Sequence, residues 1–150
     1  MTADEIWILV YDKGYREGKD SLSPELKQLW HYIDFTIYVD NGGAGGFLYN
    51  QSPTEDGKSH FEPYLECWRF FNYDDLADLV ENYNRGYLKA IEAFNRNNKT
   101  DFPTHFKRLG LDKLSDAVEK KIVAVHGKDE KIWEWIENNL ERLEKEIFAQ

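Results

Sequence analysis

Apolar residues recur along most of this chain at three- and four-residue intervals, the spacing that gathers side chains on one face of an α-helix. Thr2 and Glu5 form a capping box, so a first helix is expected from about Ala3 to Arg16. The run Ile6-Trp7-Ile8-Leu9-Val10-Tyr11 would also suit a buried strand; the cap decides for helix, and Gly14 and Gly18 weaken its far end. Ser23-Pro24-Glu25 joins a hydroxyl cap, a proline at the first helical position and an acid at the positive end of the dipole. From there Leu26, Leu29, Trp30, Ile33, Ile37 and Tyr38 make an inward stripe. Asn41-Gly42-Gly43 is expected to stop that helix, because Asn and Gly tolerate the left-handed conformation that closes one.

Phe47-Leu48-Tyr49-Asn50 leads into a polar loop from Gln51 to Ser59. A third helix is predicted over Phe61 to Phe71, with Leu65, Trp68 and Phe71 on one side. Asn72 is positioned to cap the next, which carries Leu76, Leu79, Val80, Tyr83, Tyr87, Leu88 and Ile91 inward and ends near Asn95 to Asn98. A short helix around Phe102 to Leu109 stops at Gly110, and another runs from Leu111 to about Val125 before Gly127. The last starts at Asp129 and places Ile132, Trp133, Ile136, Leu140, Leu143 and Ile147 at helical spacing. With no repeat, low-complexity tract or long linker, the expectation is an all-α fold: a single compact domain of about six to seven helices over residues 1–150.

Charge changes the picture more than composition does. Five Trp, nine Tyr and nine Phe supply enough apolar area for a core and exclude disorder. Acids outnumber bases 28 to 19, a net charge of -9, which repels a nucleic-acid backbone and an anionic membrane and suits a basic partner. Residues 55–81 concentrate that charge: Glu55, Asp56, Glu62, Glu66, Asp74, Asp75, Asp78 and Glu81 face only Lys58 and Arg69, net -6. Residues 82–131 reverse it, with eleven bases against seven acids. A single cysteine, Cys67, allows no intrachain disulfide. The acidic start and a first apolar run of six residues fit neither a signal peptide nor a membrane span, so a cytoplasmic protein is expected.

Candidate chemistry is sparse. His31, His60, His105 and His126 form no Glu-x-x-His or His-x-x-x-His pattern, and no metal or cofactor is assigned. Glu62 with Glu66, and Asp101 with His105, lie one helical turn apart, a spacing that chance often produces on solvated helices. Cys67 stands beside Glu66, whose charge raises a thiol's pKa, so it reads as a small buried hydrophobe. The glycine run Gly42-Gly43-Ala44-Gly45-Gly46 lacks the preceding strand and following lysine of a phosphate loop.

Asn41-Gly42-Gly43, followed by Phe47-Leu48-Tyr49-Asn50 and Ser52, resembles the Asn-Gly-Gly-Phe-x-Gln-Tyr-Phe-x-Asn-Ser signature of the bacterial DNA-mimic-protein-like family. Ala44 stands where that signature has Phe, Gly46 where it has Gln and Phe47 where it has Tyr. The stretch Arg108-Leu109-Gly110-Leu111-Asp112-Lys113 resembles a second family segment. Residues 53–100 then read either as an insertion or as part of the core. The resemblance implies an all-helical, non-catalytic acidic protein that presents carboxylates in place of phosphates to a DNA-binding protein. Tyr73 to Glu81 would span about 13 Å as a helix, over which duplex DNA shows about eight phosphates. Four acids stand there.

The leading expectation is therefore a non-catalytic protein that binds a basic protein, such as a DNA-binding regulator, through the acidic residues of 55–81. An alternative is a small-ligand or metal-dependent enzyme around the glycine loop, His60, Glu62 and Glu66; another is an immunity-type protein that neutralises a toxin. The aromatic surplus is compatible with a homodimer interface as well as with one core.

Overall fold

In the computed structural model, which describes residues 1–149, the local signals of the first two helices are realised as written. The Thr2 N–H donates to Glu5 Oε2 at 2.8 Å and the Glu5 N–H to Thr2 Oγ1 at 3.2 Å, opening α1 over Ala3–Glu17. Ser23 Oγ accepts from the Leu26 N–H at 3.3 Å and opens α2, Pro24–Gln51. A 3-10 turn at Lys19–Ser21 joins them. Six further helices follow among the described residues: α3 Glu62–Phe70, α4 Asp74–Arg96, α5 Phe102–Arg108, α6 Leu111–His126, α7 Glu130–Glu137 and α8 Leu140–Ile147. The fold is all-α, with eight helices rather than six to seven.

The extra helix comes from the last predicted one, which breaks at Asn138-Asn139. Asn139 leaves helical geometry at φ -131° and its side-chain amide donates to the Trp135 carbonyl at 2.6 Å. The bend lets two short segments pack on α1, burying Ile132 and Ile136 from one and Leu143 and Ile147 from the other. Two other expectations are corrected. Asn41-Gly42-Gly43 interrupts α2 without ending it: Gly43 alone is non-helical (φ 72°, ψ 175°), and the chain resumes as helix through Gln51. Asn72 is not a cap but a left-handed turn residue at φ 62°, and Tyr73 takes the N-cap position with no side-chain cap.

α2 is the central element, packed by α1, α3, α6 and α8, while α4 covers α3, α5 and α6. Aromatic rings fill the seams. Phe35 meets Phe47 and Trp68 edge-on at 5.2 and 5.4 Å, Phe47 meets Tyr64 at 4.9 Å, and Trp7 stacks on Trp133 at 4.7 Å. Because Phe47 lies beyond the Gly43 break, the break is what swings it onto Phe35 of the same helix. Gly14, expected to weaken α1, is instead buried where the Trp30 indole lies against its backbone and donates to the Tyr11 carbonyl at 3.2 Å. Cys67 is fully buried, and burial pushes its thiol well above the usual range. Among the described residues no helix is long and apolar enough to cross a membrane.

Candidate functional site

The acidic residues of 55–81 separate into three places. Asp56 organises the loop: its carboxylate accepts from the Thr54 hydroxyl and from the Lys58 N–H at 3.1 Å, which hold it below the usual carboxylate range. Glu55, also on the loop, lines an apolar cavity with Tyr87, Phe94 and Phe102. Asp75 points towards Lys121 of α6, 4.0 Å away. The remaining five lie on α3 and α4. Glu62, Glu66 and Arg69 follow one another at four- and three-residue spacing on the solvent side of α3, and Asp74, Asp78 and Glu81 do the same on α4.

Arg69 ties the two rows together. One guanidinium nitrogen lies 3.0 Å from both Asp78 and Glu81, and the other 3.7 Å from Asp74. Three carboxylates thus share one cation, leaving the two-helix stripe of Glu62, Glu66, Asp74, Asp78 and Glu81 at net -4 around Arg69. All five acids are in contact with solvent, so these pairs are screened and weak and remain open to competition from an outside cation. Beyond Glu81 the helix turns basic and amide-rich, with Arg85 donating to the Asn82 side chain, and the acidic run does not extend along α4.

The glycine-rich segment builds a second place. Residues 41 and 50 would be about 13 Å apart on an uninterrupted helix. The Gly43 break brings Asn41, Gly42 and Asn50 to one cavity of about 430 Å³, which Tyr11, Asp34 and Tyr38 complete. A neighbouring cavity of about 500 Å³ shares Tyr38 and Asn50 and holds His31, His60 and Tyr64. Behind the first, the Tyr64 hydroxyl donates to Asp34 Oδ2 at 2.6 Å. Burial raises the Asp34 carboxyl above its ordinary range, against the opposing pull of that hydrogen bond. Burial also lowers His31 to about 4, with Lys19 and Lys27 adding to the effect.

Of the residues of the signature, Asn41, Gly42 and Asn50 therefore meet around a cavity, whereas Phe47 is a core ring and Ser52 is buried, its hydroxyl donating to the Leu48 carbonyl at 2.6 Å. His60 lines the neighbouring cavity, while Glu62 and Glu66 are exposed and line neither. Among the described residues no three His, Cys, Asp or Glu side chains gather as metal ligands do. Asp101 is engaged as the cap of α5, accepting from the Thr104 N–H at 2.8 Å, and His105 Nε2 lies 2.9 Å from the Asn97 carbonyl oxygen.

Asp34, Tyr11 and Tyr64 do not stand out from the sequence as site residues. The one signal is an aspartate set between Ile33 and Phe35 in an otherwise apolar stretch, a position a core helix does not give to a charge without a reason. A family model described as DMP19-like protein matches residues 20–139, a span that includes the stripe, the 53–100 stretch and the linings of both cavities apart from Tyr11 and Lys19. No curated protein and no solved structure matches the chain.

Proposed function

Because this chain belongs to the DMP19-like protein family, we propose that it acts without catalysis, by presenting the α3–α4 carboxylates to a basic protein whose own ligand is the DNA backbone. The observation that carries this is the stripe itself: five solvent-facing acids on adjacent helix faces, three of which share Arg69 as their cation. Such a surface raises the on-rate of a basic partner and holds its register, and its contribution fades as salt screens it. The stripe is shorter than a stretch of duplex, since α4 turns basic after Glu81. It therefore matches a local basic patch rather than a long DNA-binding groove.

The test is chemical cross-linking and affinity capture from a native extract with the full chain, followed by binding measurements on the captured protein. Replacing Glu62, Glu66, Asp78 and Glu81 by their amides should weaken binding tenfold or more, and Arg69→Gln should strengthen it at low salt. Duplex DNA should compete. Binding that ignores both changes, or that DNA leaves untouched, would overturn the proposal.

A further inference from the structure

The Asp34 cavity has the properties of a cation receptor. Its floor is a half-buried carboxylate, and among the described residues no Lys, Arg or His nitrogen lies within 4 Å of it. The nearest cationic influence is Lys19, whose ammonium sits over the Trp30 ring at 5.7 Å from its centroid. One carboxylate oxygen accepts from Tyr64 at 2.6 Å, so the group is held in one orientation. A charge kept out of water without a counter-ion is costly, and a matching cation from outside recovers that cost.

The walls are ordered aromatic rings. Tyr11 stacks on Trp30 at 5.6 Å and beside Tyr15 at 6.4 Å, and Tyr38 meets Phe47 edge-on at 6.1 Å. Tyr11 lines the cavity together with Asp34, and the Tyr64 hydroxyl is bonded to the carboxylate from behind. Asn41 and Asn50 complete the rim. A guanidinium is planar, stacks on aromatic faces, is weakly hydrated and carries five N–H donors for a carboxylate and several neighbouring acceptors.

We propose that this cavity binds a guanidinium group, with Asp34 as its counter-ion and Tyr11 and Tyr38 as its walls. When that group belongs to an arginine of a basic partner, the site supplies a specific anchor beside the non-specific attraction of the stripe, and in that form it rests on the function proposed above. A free guanidinium compound would bind the same way without it.

The experiment titrates the full chain with acetyl-arginine amide, acetyl-lysine amide and acetyl-citrulline amide, following tyrosine ring resonances by NMR. The arginine compound should saturate, with the lysine and citrulline compounds at least tenfold weaker. Asp34→Asn should abolish the response; Tyr38→Ala, at a partly exposed ring, should weaken it several-fold and guards against a folding defect in the first variant. No saturable arginine response, equal binding of lysine, or indifference to both substitutions would each overturn the assignment. Amide replacements in the stripe should leave the arginine titration unchanged. Loss of partner capture with an intact titration would overturn the stripe alone, and the converse would overturn the cavity alone. An arginine peptide from the captured partner that binds more tightly than acetyl-arginine amide identifies a protein arginine as the source; equal affinity assigns a free guanidinium.

Discussion

His31 makes the stability of this fold depend on pH in a direction that can be calculated. Its side chain is 3% exposed, its Nδ1 is buried without a hydrogen-bond partner, and its pKa falls from 6.5 to about 4, first through burial and then through Lys19 and Lys27. The fold therefore prefers the neutral ring. As pH drops below 6.5 the unfolded chain takes up a proton that the folded chain refuses, so stability present above 6.5 is lost progressively down to 4. At 1.36 kcal/mol per pH unit the whole effect is about 3 kcal/mol, of which about 2 kcal/mol is gone by pH 5. With a urea slope of roughly 2 kcal/mol/M, that moves the midpoint by about 1 M between pH 8 and pH 5. Other groups titrate in the same range, and Asp34 and Glu25, both raised, act in the opposite sense. The informative quantity is thus the difference between the parent and His31→Leu, measured by tryptophan fluorescence in urea at both pH values. At pH 8 the variant should lie within about 1 kcal/mol of the parent, because an unpartnered polar atom is exchanged for an apolar one. At pH 5 it should be the more stable by about 2 kcal/mol relative to that baseline. Parallel loss of stability in the two proteins would refute the argument.

Three further outcomes follow from particular contacts. Gly43 has φ 72° and ψ 175°, a region that side chains avoid, so Gly43→Ala should cost about 1–3 kcal/mol and lower Tm by about 2–4 °C for each of them, read by calorimetry. A Cβ on Gly86 would meet Leu111 Cδ2 at 2.5 Å, and Leu111 is only 1% exposed. Gly86→Ala should therefore destabilise by about 1 kcal/mol despite its better helix propensity, yet stabilise in a Leu111→Ala background where the methyl group fills space; a double-mutant cycle in urea checks the change of sign. Cys67 should react with iodoacetamide only at the rate of unfolding, since it is wholly buried and its thiol is pushed up; fast labelling under native conditions would show the core to be open there.

What the sequence determined by itself is whatever is settled within one or two helical turns. The Thr2–Glu5 box, the Ser23 cap and the inward stripes were legible because the partners lie three or four residues apart and form on any helix, whatever surrounds it. The acids of α3 and α4 were legible for the same reason. The signature at Asn41-Gly42-Gly43 marked the family that matches residues 20–139, and the glycines marked a break, although not that helix would resume beyond it. Tertiary structure decided the rest. The split at Asn138-Asn139 carries neither Gly nor Pro; it exists because two short segments cover α1 where one straight helix would not. Arg69, one of two bases among eight acids, became the counter-ion of three because α3 and α4 pack side by side. Tyr11, Asp34, Tyr38 and Tyr64 come from three helices and span more than fifty residues, and only packing sets their distances. Periodicity tells which face of a helix is buried; it carries no information about which other face it will meet.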